Sequence, residues 1–125
     1  MTTNGSAVFA SDRTFQLWFF TVSHSKLLLR STKNDKFSTQ VDVLFTSVSA
    51  LRMLTLFDGL NVLEVQPSSV DLSLIGPTSS LKYGTKLFQL SGVGWDGFVL
   101  GGAMFWVENE LDFFDKSPLL PDLSV

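Results

Sequence analysis

The sequence contains no cysteine in its 125 residues. This absence excludes disulfide bonds, catalysis by a thiol and zinc sites built from cysteine, and it is typical of a reducing compartment. Histidine is nearly absent too, since His24 is the only one. The sequence also shows no Walker-type phosphate loop and no cluster of metal-ligating residues. We therefore expect no cofactor and no metal, and we predict that the protein is not an enzyme.

Positive charge is scarce. The chain has nine lysines and arginines against twelve aspartates and glutamates, which gives a net charge of −3, and it has no basic run. Binding to the phosphates of a nucleic acid requires a dense positive surface. We therefore do not expect a nucleic acid as a partner.

Long apolar runs are absent as well. The longest, Phe98–Val107, has ten residues including two glycines, which is too short to cross a bilayer as a helix. Residues 1–13 lack the basic and apolar regions of a signal peptide. The sequence thus predicts a cytoplasmic protein without a membrane span.

The length is that of one domain with a single core. Residues 1–13 are polar and rich in small side chains, and we predict a flexible N-terminal arm there. Residues 14–115 make up the predicted domain. Residues 116–125 contain Pro118 and Pro121 and are predicted to form an extended C-terminal tail.

Aromatic residues, by contrast, are abundant. The chain has twelve phenylalanines and three tryptophans, which is many for the interior of so small a domain. Some of these side chains are therefore expected in a pocket or at a protein–protein contact.

The first strand pattern is an opening hairpin. Two apolar runs, Phe15–Val22 and Lys26–Arg30, flank the polar Ser23-His24-Ser25. Each run is too short for a typical helix and suits a strand, so the unit reads as a β-hairpin. Gln40–Phe45 then alternates between apolar and mixed positions, as a strand with one buried face does.

A second hairpin is predicted around Asp58-Gly59. This dipeptide lies between the apolar runs Leu51–Phe57 and Leu60–Val65, and Asp-Gly favours the tight turn of a two-residue hairpin. A helix over Val48–Phe57 is the alternative.

The second half of the chain shows further strand patterns. Lys86–Ser91 reads as a strand, and Phe98–Val107 reads as a central strand buried on both faces, with a helix as the less favoured alternative. The sequence shows no alternation of strand and helix patterns of the kind that builds a parallel sheet. We therefore predict a mainly β fold with little helix, an antiparallel rolled sheet, small barrel or sandwich built from hairpins.

Two motifs could carry chemistry, but each is a weak signal. His24 between two serines could serve a hydrolase as a general base, but a turn residue bonded to its own backbone explains it as well. Gly92–Gly97 matches G-x-G-x-x-G, yet the dinucleotide fingerprint requires a helix after it, and a strand is predicted there. We interpret the glycines as a hairpin loop that presents Trp95 as a contact residue.

Acidic residues collect near the C-terminal end. Glu108, Glu110 and Asp112 share one face at strand spacing. They form either a solvated face that keeps an edge strand from pairing or a patch for a basic partner.

One stretch has a familial resemblance. Phe45-Thr46-Ser47-Val48-Ser49-Ala50-Leu51, followed by a strand, Asp58-Gly59 and a second strand, is similar to the F-x-x-V-x-x-L pattern of small bacterial β-rich proteins, some of them immunity proteins of toxin systems. The similarity covers Phe45–Val65 and carries no functional residue over. It implies an intracellular protein that binds and neutralises a partner without catalysis.

We therefore expect a binding protein that engages a protein partner or a second copy of itself through an aromatic surface. The alternative is a carrier of a small molecule or lipid, with Trp18, Phe20 and Trp106 lining an interior cavity. The candidate contact residues are His24, Trp18, Trp95, Trp106, Glu108, Glu110 and Asp112.

Overall fold

The computed structural model describes residues 5–65, 84–111, 115 and 117–119, with residues 5–7 described for their backbone only. Within this part of the chain all regular structure is β, in eight strands. The strands are β1 (Gly5–Thr21), β2 (Lys26–Ser31), β3 (Gln40–Thr46), β4 (Ala50–Arg52), β5 (Leu56–Val65), β6 (Lys86–Gly92), β7 (Trp95–Gly101) and β8 (Ala103–Asn109).

The strands form one antiparallel sheet in the order β4-β7-β6-β5-β1-β2-β3-β8. The predicted mainly β, antiparallel fold is confirmed. Within the described residues β4 and β8 each pair with one strand only, so the sheet is not closed into a barrel. The sheet is rolled, because side chains from β1, β2, β3, β5, β6 and β7 meet in one core.

The long strand β1 forms one corner of the roll. It pairs with β5 from Gly5 to Gln16 and with β2 from Gln16 to Thr21, and its register shifts at three places. Such bulges bend a strand and increase its twist. Residues 5–13, which the composition predicted as a flexible arm, thus belong to the first half of β1.

The opposite corner is a two-stranded ribbon that continues across a break. The ladder of β3 with β8 ends at Thr46 and Ala103, and the ladder of β4 with β7 begins at Ala50 and Leu100. Between them, the backbone N–H of Gly102 donates to the carbonyl of Thr46 at 2.8 Å. The corner at β1 divides the sheet into two halves, one with β2, β3 and β8 and the other with β4, β5, β6 and β7. The two halves are therefore joined at this second corner as well.

The predicted strand Phe98–Val107 is divided at this corner. Its first part belongs to β7, which has a neighbour on each side, and its second part belongs to β8, which lies at the end of the strand order. The prediction of one central strand was wrong because Gly101 and Gly102 allow the backbone to turn between the two halves of the sheet.

The interior of the roll is filled by apolar side chains from six of the eight strands and from the β3–β4 connection. They are Phe15, Leu27, Leu29, Val41, Val43, Phe45, Val48, Phe57, Leu60, Val62, Phe88, Leu90 and Val99. The predicted alternation in β3 is confirmed, because Val41, Val43 and Phe45 all belong to this core.

The outer faces of the sheet also carry buried apolar clusters. One contains Leu28 and Leu44, against which Leu119 packs together with Trp18 and Phe19. The other consists of Val65, Leu87 and Leu100 with partly buried neighbours. Parts of the sheet are therefore buried on both faces.

The Asp58-Gly59 pair lies inside β5 and does not form the predicted hairpin turn. Gly59 has a φ of +78°, and the register of β1 against β5 shifts between Ser11 and Thr14, just beside it. Thr14 Oγ1 donates to Asp58 Oδ1 at 2.6 Å. The positive φ that favours a tight turn is thus part of a bulge here. The chain does not turn back at this point, because β5 pairs with β1 before and after the bulge and with β6 along its other edge.

Candidate functional site

The residues singled out from the sequence do not form one site. They divide between an exposed turn, the outer face of the sheet, the core and the end strand β8. Asp112 lies outside the described residues.

His24 lies in the turn between β1 and β2 and is exposed. Within the described part of the chain, no carboxylate or hydroxyl is hydrogen-bonded to its imidazole. The orienting partners that a Ser-His pair requires are thus not assembled around this residue.

Trp18 lies on the outer face of the sheet beside a buried ion pair. Arg30 Nε is 2.8 Å from Asp42 Oδ1 and Arg30 Nη2 is 3.1 Å from Asp42 Oδ2, a bidentate contact. Both side chains are only 1 % exposed. The guanidinium carbon lies 4.8 Å from the centre of the Trp18 ring. Trp18 therefore stabilises a buried cation, which is a structural task.

Sequence reasoning missed this pair. Arg30 was read as the end of a strand and Asp42 as part of a mixed face. The available signal was the position of each charge within an apolar run, since β2 and β3 place the two residues directly opposite each other. Gln40 lies on the same face and is fully buried, and neither polar atom of its amide has a hydrogen-bond partner among the residues that the structure describes.

Trp95 is partly buried and packs against the core, whereas the glycine loop predicted an exposed contact residue. Its ring centre is 4.4 Å from that of Phe57, and its Nε1 donates a long hydrogen bond of 3.4 Å to the carbonyl of Gly59. The glycine motif forms a two-residue turn at Val93-Gly94 between β6 and β7. A strand follows the motif, so it lacks the helix that a dinucleotide site requires.

Among the described residues, the end strand β8 is where large aromatic side chains are most exposed together. Phe105 is 49 % and Trp106 is 51 % exposed. Trp106 lies opposite Val43 on the inner face, and its ring centre is 5.3 Å from that of Phe9. Phe105 lies opposite Leu44 on the outer face. Sequence reasoning found Trp106 but missed Phe105, although adjacent residues of a strand must point to opposite faces.

The carboxylate of Glu108, two residues after Trp106, already has partners. Thr39 Oγ1 donates to Glu108 Oε2 at 2.6 Å, and Arg13 Nη1 lies 3.9 Å from the same oxygen. Burial lowers the pKa of the Arg13 guanidinium, while Glu108 and Asp12 act in the opposite direction. Arg13 was not predicted as part of any site. Glu110, beyond the strand, is exposed.

The side of β8 that faces away from β3 has no partner among the described residues. Along the chain, this side of β8 follows the side of β7 that pairs with β6. The ladder of β6 with β7 starts at Lys86 opposite Gly101, so β6 does not pair with β8. Gly84, with a φ of +89°, lies in a turn just before β6. We call this side of residues 103–109, with its exposed aromatic side chains, the β8 edge.

The three aromatic residues expected to line a carrier cavity lie in separate places. Trp18 is on the outer face, Trp106 contacts Phe9 near the end of the sheet, and Phe20 is 40 % exposed toward the end of β1. The interior between the two halves of the sheet is filled by the core side chains.

No metal-binding group of three or more histidine, cysteine, aspartate or glutamate side chains occurs in the part of the chain that the structure describes. The same part contains no helix with the length and apolar character needed to cross a membrane. Comparison with protein-family models, with curated proteins and with solved structures gives no match to this chain.

Proposed function

We propose that this chain is a non-enzymatic protein-binding domain whose contact surface is the β8 edge. The observation that carries this proposal is the exposure of two successive aromatic residues on an end strand of the sheet, Phe105 on its outer face and Trp106 on its inner face. Aromatic side chains are enriched at protein–protein contacts, because they bury a large apolar area with few rotatable bonds.

An end strand also offers a mode of binding. The N–H and C=O groups of β8 that have no partner among the described residues can pair with an extended segment, while alternate side chains contact the partner on both faces. Proteins usually protect such an edge with charged side chains, above all lysine, or with proline. Strand β8, with the sequence AMFWVEN, contains neither lysine nor proline, and its one charged side chain, Glu108, is held by Thr39 and Arg13. This composition supports a strand that is used for pairing.

The proposed setting is the cytoplasm, which the absence of cysteine supports. The resemblance of Phe45–Val65 to bacterial immunity-type proteins suggests a more specific form of the same proposal, in which the partner is a toxin protein that is neutralised by binding. No described residue favours that form over another protein partner.

Affinity capture from a lysate of the source cells tests the proposal. The bait variant carries Phe105→Ser and Trp106→Ser together, and the matched control carries Leu54→Ser and Leu56→Ser, which replaces side chains that are 52 % and 63 % exposed. Circular dichroism verifies that each bait is folded. We expect the wild type and the control to retain the same protein, and the β8 variant to lose it.

Retention of the same proteins by all three baits would contradict the proposal, because the contact would then lie elsewhere. Loss of the partner from the control alone would move the contact surface to the segment before β5.

A further inference from the structure

We infer that the occupant of the β8 edge is the β8 strand of a second copy of this chain, paired antiparallel about a two-fold axis near Trp106. The inference deepens the proposed function and rests on it. An interface of this kind extends the sheet from one copy into the next, and it is isologous, so that each copy contributes the same residues.

The first argument is the chemistry of the edge. A basic partner segment would need a free carboxylate beside the aromatic residues. Glu108 is the only acidic side chain of β8, and its carboxylate already accepts from Thr39 and lies 3.9 Å from Arg13. Within the described part of the chain, the groups of the edge that remain without a partner are thus apolar side chains and backbone, which suit a partner strand of the same kind.

The second argument is the register that self-pairing permits. With Trp106 opposite the partner's Trp106, Phe105 lies opposite the partner's Val107. Glu108 then lies opposite the partner's Met104, and Glu110 lies beyond the paired strand opposite the partner's Gly102. Because directly opposed like charges destabilise a strand pair, a register that keeps every carboxylate opposite an uncharged residue is favoured.

The third argument is the position of the aromatic rings. Residues directly opposite each other in an antiparallel pair project to the same face, so both Trp106 side chains would lie on the inner face. Phe9 already contacts Trp106 with a ring separation of 5.3 Å. The axis would therefore bring the Phe9–Trp106 pairs of the two copies together in one aromatic row, and the half-exposed indoles would be buried by each other.

Analytical ultracentrifugation of the full chain tests the inference. We expect the wild type to reach twice the monomer mass of 13.8 kDa as its concentration is raised. Trp106→Lys should weaken self-association by roughly tenfold or more, as the loss of a central aromatic contact does. Phe105→Lys provides a second variant in case the first is not folded. Val93→Lys is the control, because Val93 is 77 % exposed on the β6–β7 turn.

The absence of native cysteine allows a test of the register. Trp106→Cys should form an intermolecular disulfide when treated with oxidised glutathione, which is reduced to two glutathione molecules as two thiols are joined. Met104→Cys should not, since in this register the two positions are separated by roughly 14 Å along the strands. Val93→Cys should also remain unlinked.

A wild type that stays monomeric at every concentration would overturn the inference. So would a dimer that Trp106→Lys, Phe105→Lys and Val93→Lys leave equally intact. Neither result contradicts the proposed function, because the lysate experiment would still show whether a different protein binds the β8 edge.

Discussion

Arg30 and Asp42 show at the scale of single residues how charge is accommodated inside this sheet. Their bidentate contact joins β2 to β3, and the Trp18 ring covers the guanidinium. Taking two charges out of water is costly, and a buried pair repays this cost only while both partners are present. Removing one partner leaves the other buried without the opposite charge of this pair.

We predict that Asp42→Ala lowers the free energy of unfolding by about 3–5 kcal/mol, as measured by urea denaturation. The control is Asp96→Ala, whose partner Arg52 lies 3.8 Å away with both side chains mostly exposed. That substitution should change the stability by less than about 1 kcal/mol. Equal effects of the two substitutions would contradict the assignment of a structural role to the buried pair.

Gln40 supplies the opposite case on the same face. Its side-chain amide is buried and has no hydrogen-bond partner in the described part of the chain, and an unsatisfied buried polar group costs free energy. We predict that Gln40→Met, which keeps the volume and removes the amide, raises the free energy of unfolding by about 1 kcal/mol. The same urea experiment measures this change. A loss of stability of similar size would show instead that the amide makes hydrogen bonds in solution.

At the scale of the strands, the local sequence pattern predicted which segments form strands better than it predicted how those strands are connected. The strands around Phe15–Val22, Lys26–Arg30, Gln40–Phe45 and Lys86–Ser91 are present, because short apolar or alternating runs suit a sheet. Asp58-Gly59 shows the limit, since one positive φ serves a hairpin turn or a bulge, and only the pairing of β5 with two neighbours decides between them.

The candidate site could also be predicted only in part from local sequence pattern. Trp106 and Glu108 were found because large aromatic and acidic residues stand out in a sequence. Which tryptophan is exposed depends on contacts between distant segments, such as Trp95 with Phe57 and Gly59. No property of the residues next to Trp95 reveals those contacts.

The β6–β7 turn packs closely against the bulge in β5. A Cβ on Gly92 would overlap the Trp95 indole nitrogen and the carbonyl oxygen of Gly59, and it would lie 2.6 Å from the carbonyl oxygen of Asp58. The backbone N–H of Val93 also donates to the Asp58 carbonyl at 2.9 Å. Glycine at position 92 is therefore required by the close approach of two backbones.

We predict that Gly92→Ala lowers the thermal midpoint and the free energy of unfolding, the latter by about 1–3 kcal/mol, the cost of forcing extra atoms into a packed site. Ser91→Ala, at the neighbouring exposed position, should change it by less than about 0.5 kcal/mol. Differential scanning calorimetry of both variants checks the comparison. If Gly92→Ala were as stable as the wild type, the two backbones would have to be farther apart than described.

At the scale of the whole molecule, the two halves of the sheet share both corners. Strand β1 belongs to both halves, and the ribbon of β3–β4 with β7–β8 joins them again. One half therefore cannot unfold without exposing the core side chains of the other. A single cooperative transition is the expected behaviour of such a domain.

The three tryptophans allow this prediction to be tested, because Trp18 reports on the outer face, Trp95 on the core and Trp106 on β8. We predict that in each variant retaining one tryptophan, with the other two replaced by phenylalanine, fluorescence and far-ultraviolet circular dichroism give the same urea midpoint. A lower fluorescence midpoint in the Trp106 variant would show instead that β8 detaches before the rest of the sheet unfolds.

The pairing of β3 with β8 has a consequence for synthesis on the ribosome. The hairpin partners β1, β2 and β3 leave the ribosome early, but the strand that covers the other side of β3 begins only at Ala103. Until then the nascent chain presents Val41, Val43 and Phe45 on a strand with one open side. Such a strand invites pairing with the wrong segment, so translation through residues 47–102 is the interval in which this chain has most need of a chaperone.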